Sequence, residues 1–320
     1  MSISDKVKTL YMSTLFSRHD PDGSVFYFAA EDFEGLRRIP YSFKNKRGDT
    51  LNGAFYSYGN PDSDKLIIFE HGMGAGHRAY LREIEMLCRR GVLVFSYDHT
   101  GCASSGGEHI YGFLGSISDL DDCIKALRAD ENYKNREISV VGHSWGAFST
   151  LNIPAIHKDV KNIVAISGFV SVSEMQRQVI PFILAPYRKT VFELEAKTNP
   201  EYIHHSAIDT LLNSDVNALI IHSKDDKTVS IRHFYNMKKA LMGKENVKFL
   251  LLDGKNHNPT YKNNAVKYKN AFFKTLKQKR KANLLSTDEA KSEFVKSYDW
   301  HKMTEQDEAV WAEIYKALEI

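Results

Sequence analysis

The sequence predicts an α/β fold built on one mostly parallel central sheet, covered by helices on both faces. Short apolar runs alternate along the chain with longer segments whose apolar residues recur at helical spacing. The runs at 66–69, 92–97 and 138–141 are largely apolar, which is typical of parallel strands buried on both faces. Their alternation with amphipathic helices indicates βαβ units. A chain of 320 residues is long enough for one large domain of this class.

The other elements are predicted in order along the chain. Residues 1–36 are expected to form a partly helical N-terminal arm. Segments 39–43 and 51–58 alternate apolar and polar residues on either side of a Gly-Asp turn, which predicts an antiparallel hairpin. Later strands are predicted at 162–167, 218–222 and 247–252. Helices are predicted at 80–88, at 116–129 and from 147 onward.

Residues 171–215 form an insertion between two of the predicted strands. Its aromatic and aliphatic content predicts a small helical cap over the C-terminal edge of the sheet, where open α/β sheets bind ligands. The core of the α/β domain would then comprise residues 37–170 and 216–282. The segment 265–281 is expected to be the final helix that covers the sheet, and 283–320 to be a C-terminal helical extension.

The extension contains an amphipathic helix at 304–319. One apolar stripe along this helix comprises Val310, Trp311, Ile314 and Leu318. We expect the stripe to pack on the main domain, and a homodimer contact through it is the alternative.

A serine lies between a predicted strand and a predicted helix. Residues 138–141 lead directly into Gly-x-Ser-x-Gly at 142–146, and a helix follows. This order is typical of a nucleophile elbow, a strained turn with Ser144 at its tip. Glycines at both ends of the turn avoid clashes between a Cβ and neighbouring backbone. The turn also directs the Trp145 N–H towards whatever the hydroxyl attacks.

Candidate partners for Ser144 lie further along the chain. A serine hydroxyl needs a base to take its proton and an acid to orient that base. Asp225 and Asp226 follow the strand at 218–222, and His257 follows the next strand. All these loops lie at one edge of a parallel sheet, so the spacing predicts a Ser-Asp-His triad with Ser144 as nucleophile and His257 as base.

These motifs resemble the α/β-hydrolase superfamily over about residues 38–280. They are most similar to its monoacylglycerol lipase-like and serine-aminopeptidase-like bacterial members. The His-Gly-x-Gly loop at 71–74 resembles the family's oxyanion loop. This resemblance implies that the N–H groups of Met73 and Trp145 form the oxyanion hole.

The resemblance also selects between the two adjacent acids. The family pattern Gly-x-x-Asp-x-x-Val aligns with this chain when Val229 takes the position of its valine. Asp226 then becomes the orienting acid, and Asp225 faces solvent or caps the turn, beside Lys224 or Lys227. The implied activity is hydrolysis of an acyl or aryl ester through an acyl-enzyme.

Composition narrows the classes of partner. Hydrophobic residues make up 42% and charged residues 26% of the chain, as in soluble globular proteins. We find no apolar run near 18 residues and no secretory signal, and we expect a cytoplasmic protein. Three cysteines without a C-x-x-C pair fit a reducing compartment. The net charge of +3 predicts no nucleic-acid partner. No metal or other cofactor is expected, and the predicted partner is a small-molecule ester or other acyl substrate.

Several alternatives remain open at the level of sequence. The same machinery would cleave a peptide, an amide or a thioester, or transfer an acyl group to an alcohol. A dinucleotide site could use Gly72, Gly74 and Asp98, but His77 replaces the third glycine of that fingerprint. A member of the fold without catalytic activity could instead serve as a binding protein.

Overall fold

The structure is a computed structural model that describes residues 3–61, 64–74 and 76–320, so Ala75 of the predicted oxyanion loop lies outside the described residues. Its centre is an eight-stranded sheet with the strand order β1-β2-β4-β3-β5-β6-β7-β8. The strands are β1 Leu36–Lys44, β2 Thr50–Tyr58, β3 Lys65–Glu70, β4 Leu93–Tyr97, β5 Glu137–His143, β6 Asn162–Ile166, β7 Asn217–Ser223 and β8 Val247–Leu252.

Strand pairing confirms the predicted mixture of orientations. β1 and β2 form the expected antiparallel hairpin, with Phe43 opposite Leu51, and β2 also pairs antiparallel with β4. The pairs formed by β3 to β8 are parallel, as in the register that places Val140 opposite Ile163. The carboxyl ends of β5, β7 and β8 therefore lie at one edge of the sheet.

Helices cover both faces of the sheet. They are α1 Ile3–Leu15, α2 Leu81–Cys88, α3 Gly115–Ala129, α4 Trp145–Asn152, α5 Val172–Val179, α6 Arg188–Thr198, α7 Ala207–Leu212, α8 Ile231–Ala240, α9 Asn263–Lys281, α10 Asp288–Lys296, α11 Trp300–Met303 and α12 Glu308–Leu318. One face packs against α3, α4, α7 and α8, and the other packs against α2 and α12. Apolar side chains such as Val140 and Val141, adjacent in β5, point to opposite faces and enter different clusters.

The predicted final helix does not cover the sheet. Phe272 and Leu276 of α9 pack instead with Phe294 of α10 and Met303 of α11. The helix that takes the place beside the sheet is α12, whose stripe packs on β6 and β7. The prediction for 265–281 is therefore wrong, because the apolar face of α9 is matched by the following helices rather than by the strands.

Packing of the α12 stripe also decides its predicted role. Val310, Trp311, Ile314 and Leu318 are at most 3% exposed within the chain itself. The stripe therefore packs on the main domain as expected, and it is not available for a homodimer contact.

The insertion at 171–215 forms helices beside the C-terminal edge of the sheet. Val172 and Met175 of α5 and Val191 of α6 pack with Tyr11 of α1 and with Phe148 below the elbow. At its end, α7 packs on α4 and belongs to the sheet-covering layer. The division of the chain into arm, core, cap and extension remains a prediction.

Two further observations concern the environment of the chain. Cys88, Cys102 and Cys123 are buried, unpaired thiols. In the described part of the chain, helices that are both long and apolar enough to cross a bilayer are absent.

Candidate active site

Ser144 lies in a strained turn between β5 and α4. Its backbone has φ +57° and ψ −113°, a combination that an L-residue adopts only when its surroundings enforce it. A Cβ at Gly142 would clash with the Gly146 carbonyl, and one at Gly146 would clash with the Glu70 carbonyl. The two glycines therefore allow the close approach that places the Ser144 hydroxyl at the edge of the sheet.

His257 connects Ser144 to Asp226 through two hydrogen bonds. Its Nε2 lies 2.9 Å from Ser144 Oγ, and its Nδ1 lies 2.8 Å from Asp226 Oδ2. An ionised carboxylate can only accept, so Nδ1 carries the proton that is donated to Asp226. Nε2 is then the acceptor that faces the serine hydroxyl. Three residues that are distant in sequence thus form one continuous hydrogen-bonded chain.

The Asp226 carboxylate is held in its charged form. Its Oδ1 accepts backbone N–H groups from Thr228 at 2.8 Å and Val229 at 3.0 Å. Burial alone would raise the pKa of Asp226, but the hydrogen bond and charge of His257 and these N–H groups lower it below its ordinary value. The carboxylate is therefore available to orient His257 at neutral pH.

The neighbouring Asp225 is exposed, as expected, and its carboxylate also accepts two hydrogen bonds. Its Oδ1 accepts hydrogen bonds from Ser223 Oγ at 2.5 Å and from the Asn256 N–H at 3.0 Å. Lys224, the suggested neighbour, instead pairs with Asp253 at 3.7 Å. Asp225 thus connects the β7 loop to the loop that carries His257, a role that its position in the sequence did not reveal.

His143 precedes Ser144 and contacts the same loop. Its Nε2 lies 2.7 Å from the His257 carbonyl oxygen, and its Nδ1 lies 2.8 Å from the Tyr80 hydroxyl. A carbonyl only accepts, so Nε2 donates and Nδ1 accepts from Tyr80. Burial, followed by the charge of His257, lowers the pKa of His143 to about 3. The ring is therefore a neutral structural element rather than a base.

The predicted oxyanion loop lies against the elbow. A Cβ on Gly72 would stand 3.3 Å from the Ser144 Cβ, so the loop backbone closely approaches the serine. His71 Nε2 accepts the His99 N–H at 2.9 Å, and its Nδ1 donates to the Gly72 carbonyl at 2.7 Å. Burial lowers the pKa of His71 to about 3, so this neutral ring fixes the loop between its neighbours.

The two predicted oxyanion donors belong to the two segments that approach each other here. Met73 follows Gly72 in the loop, and Trp145 is the first residue of α4. The first N–H groups of a helix have no partner within the helix, and the helix dipole adds positive potential there. An oxyanion formed at Ser144 would therefore meet a site that favours negative charge.

A charged cluster is buried beneath the elbow. His99 lies between Glu70, at 3.3 Å, and Asp119, at 3.2 Å, and its ring is 4.7 Å from that of Trp145. Burial opposes its charge, but Glu70 and Asp119 raise the pKa of His99 to about 9. Its positive charge offsets the two carboxylates, which makes their burial under the active-site turn tolerable.

A cavity of about 410 Å³ opens beside His257. Gly72, Met73 and His143 form its inner wall. The outer walls come from 25–28, α9 and the segment 300–304, whereas the described residues of 171–215 contribute none of its lining. The cap predicted at 171–215 therefore does not line this cavity, because the N-terminal arm and the C-terminal helices occupy that position.

A family model described as serine aminopeptidase, S33, matches residues 61–210. The matched segment contains the elbow, and the chain as a whole has the α/β-hydrolase fold. None of the curated proteins compared matches this chain in sequence.

Solved structures share the fold of this α/β hydrolase. An esterase from Pyrococcus furiosus aligns with a TM-score of 0.57 and 21% identity, covering 73% of this chain and 89% of that one. The esterase domain of a Rhodothermus marinus protein aligns with a TM-score of 0.51 and 18% identity, covering 83% and 98%. The α/β hydrolase GrgF from Penicillium aligns with a TM-score of 0.52 and 17% identity, covering 69% of this chain and 91% of that one. At such identities the likeness shows the fold alone.

The residues that build the cavity walls were not predicted from the sequence. Phe26 and Trp300 lie 274 positions apart in the chain, yet their ring centroids are 5.6 Å apart. Local patterns carry no information about such a contact. A polar residue on an otherwise apolar helix face was the available signal for Lys269, which lines the same cavity from α9.

Proposed function

We propose that this α/β hydrolase is a serine esterase that cleaves carboxylic esters through a covalent acyl-enzyme. The observation that carries the proposal is the hydrogen-bonded chain from Asp226 through His257 to Ser144. Nucleophilic catalysis by serine requires this arrangement of hydroxyl, base and orienting acid. The strained conformation of Ser144 supports it, since such strain is concentrated at functional turns.

The proton positions assign a role to each group. With Nδ1–H donated to Asp226, His257 Nε2 takes the proton as Ser144 Oγ attacks the ester carbonyl carbon. The imidazolium that forms is stabilised by the adjacent carboxylate, which stays ionised. The protonated His257 then donates to the departing alcohol, and the ester C–O bond breaks to leave Ser144 acylated.

Charge on the tetrahedral intermediate is the main electrostatic demand of this reaction. We assign its stabilisation to the N–H groups of Met73 and Trp145, because Gly72 brings the loop against Ser144 and α4 begins at Trp145. Such preorganised donors contribute about 3–4 kcal/mol each in serine enzymes. In the second half of the cycle, His257 activates water, which attacks the acyl carbon and restores the Ser144 hydroxyl.

The cavity supports a compact substrate with an aryl or short acyl group. Its volume of about 410 Å³ suits a small molecule. Aromatic side chains dominate its outer wall, among them Phe26, Phe28, Phe273 and Trp300. Their flat faces favour aromatic or short apolar groups beside His257. A cytoplasmic location remains a prediction.

A panel of 4-nitrophenyl esters of increasing acyl length tests the proposal, with a matched anilide and thioester to compare the scissile bond. We expect ester cleavage by the wild type and loss of about a millionfold in kcat for Ser144→Ala. Ser42→Ala, a change of an exposed serine on β1, should keep the wild-type rate. Faster anilide than ester cleavage would assign the chain to the amidases, and an unchanged rate for Ser144→Ala would contradict the proposal.

A further inference from the structure

The cavity beside His257 has an unbalanced charge. Its lining includes the cations Arg78, Arg82 and Lys269, and the described residues that line it include no aspartate or glutamate. Positive side chains that face a cavity without acidic partners favour an anionic ligand there. Such a ligand would bind the cation whose ammonium or guanidinium group is not already paired within the chain.

Two of the three cations already have other partners or lie at the surface. Arg82 Nη1 pairs with Glu85 at 3.2 Å. Arg78 is exposed, and its guanidinium donates to the carbonyl groups of Phe28 at 3.2 Å and Tyr27 at 3.3 Å. Arg78 therefore shapes the rim by holding the N-terminal arm, and neither arginine is the free cation of the interior.

Lys269 reaches the cavity from α9, and no carboxylate of the described residues lies within ion-pair distance of its ammonium group. Its Nζ donates to Asn258 Oδ1 at 2.8 Å and lies 4.7 Å from the centroid of the Tyr261 ring. Glu83, the acid whose charge acts on it, makes no ion pair with it among the described residues, and Glu83 Oε2 has no hydrogen-bond partner there. Burial lowers the pKa of Lys269 and raises that of Glu83. A half-buried ammonium group is stabilised when an anion pairs with it.

The ammonium group is close to the proposed catalytic residues. Its acceptor Asn258 is the residue after His257, and the charge of Lys269 is one of those acting on His143. Lys269, His257 and Met73 line the same cavity. A small substrate could therefore contact the ammonium while its ester carbonyl lies at Ser144.

We propose that Lys269 is a specificity-determining residue that binds a carboxylate on the substrate, so that the chain acts on small aryl or short-chain esters that carry one negative charge away from the scissile bond. The proposal rests on the esterase function above. One ammonium matches one negative charge, which favours a carboxylate over a dianionic phosphate. The aromatic wall formed by Phe26 and Trp300 would hold the apolar body of such a substrate.

Two matched pairs of esters test this preference on either side of the scissile bond. One pair is 4-acetoxyphenylacetate and 4-acetoxyphenylacetamide, and the other is the mono-4-nitrophenyl ester of adipate and its terminal carboxamide. We expect the wild type to prefer the anionic member of at least one pair by about tenfold in kcat/KM, as for a hydrogen bond to a charged group. Equal rates within both pairs would overturn the proposal.

Variants on one helix separate a local contact from general attraction by positive charge. Lys269→Met should abolish the preference, which is measured as the ratio of kcat/KM between the two members of each pair and does not depend on the absolute rate of the variant. Lys267→Met, an exposed position on α9, should retain the preference. A Lys269→Met enzyme that still prefers the anionic ester would contradict the assignment.

A binding measurement tests the anion site even if the lysine variant does not fold or no ester is cleaved. Calorimetry on Ser144→Ala should show that phenylacetate binds about tenfold more tightly than phenylacetamide. Absence of this difference would refute the anion site. An enzyme that binds phenylacetate selectively but cleaves none of the esters would refute the esterase function and leave the anion site standing.

Discussion

The imidazole of His143 donates a 2.7 Å hydrogen bond from Nε2 to the backbone carbonyl of His257. The residue directly before the proposed nucleophile thereby holds the loop of the proposed base. The two rings lie 4.7 Å apart between centroids, and Tyr80 supports the other side of His143 at 2.8 Å. The elbow therefore fixes both Ser144 and the backbone from which His257 projects.

Replacing His143 should loosen this arrangement. In His143→Phe, the His257 carbonyl loses its donor, which should destabilise the fold by about 1–3 kcal/mol. The displaced base should lower kcat by roughly tenfold to a hundredfold. Tyr80→Phe is the matched control because it removes the hydroxyl that contacts His143 Nδ1 and the Gly72 backbone but keeps the donor to the His257 carbonyl, and we expect a smaller loss of kcat. Thermal melts and esterase kinetics measure both effects, and wild-type kcat in folded His143→Phe would refute this positioning role.

The adjacent acids should respond differently to substitution. Asp226→Asn removes the acceptor that orients His257, and the expected loss is roughly ten-thousandfold in kcat. Asp225→Asn keeps an oxygen for the Asn256 N–H, so its rate should stay near normal. Asp225→Ala loses that acceptor, and a net loss of about 1 kcal/mol in stability is expected. Ester hydrolysis measures kcat, and urea denaturation measures stability, for all three variants. A collapse in Asp225→Asn with a normal Asp226→Asn would exchange the two roles.

The wall of the cavity, rather than the insertion at 171–215, should control substrate binding. Phe26 lines the cavity, whereas Phe182 in the insertion is 89% exposed. Phe26→Ala should raise KM for aryl esters by several-fold with less change in kcat, since it removes aromatic contact area. Phe182→Ala should leave both constants unchanged. Steady-state kinetics with a phenyl ester tests the pair, and the opposite result would restore the insertion as the wall of the acyl pocket.

Acid stability should depend on Asp98. Its carboxylate accepts from His77 Nδ1 at 2.6 Å and from the Ser104 N–H at 3.0 Å. Burial raises the pKa of Asp98, but the hydrogen bond and charge of His77 outweigh it and lower the pKa well below the usual value. The folded protein thus binds fewer protons than the unfolded chain just below about pH 4. The stabilisation is present above that pH and is lost as the pH falls through the folded-state pKa.

Asp98→Asn should remove this part of the pH dependence. We expect the variant to be less stable than the wild type at pH 7 by about 1–3 kcal/mol, and to lose less stability than the wild type between pH 4 and pH 2. Urea denaturation across this range measures both. Asp253→Asn, which changes an exposed acid that lies 3.7 Å from Lys224, should follow the wild-type curve. Parallel curves for Asp98→Asn and the wild type would show that Asp98 does not contribute to acid unfolding.

Local sequence patterns were sufficient to predict the strands and the order of the candidate residues along the chain. The runs around Val140 and Ile220 form buried parallel strands as predicted, and strands of this kind bring Ser144, Asp226 and His257 to one edge. A buried strand can be predicted from the apolar pattern of its own residues. The parallel topology then determines at which edge of the sheet the following loop lies.

Contacts between distant segments could not be predicted in the same way. The stripe of α12 and the apolar face of α9 have similar periodicity, and only the packing shows that α12 covers the sheet. Lys255 Nζ anchors this arrangement through Asp307 at 2.5 Å and the Tyr261 carbonyl at 2.7 Å. Such pairings depend on which surfaces remain uncovered after the core has formed, which no single window of sequence contains.

Covalent labelling by a fluorophosphonate tests the central claim that Ser144 is an activated nucleophile. Intact-mass analysis followed by peptide mapping should show one adduct per chain, located on Ser144. Labelling should be lost in Ser144→Ala and strongly slowed in His257→Ala, because the hydroxyl then lacks the base 2.9 Å from its Oγ. A wild-type protein that stays unlabelled while folded, or that carries the adduct on a different residue, would contradict the account.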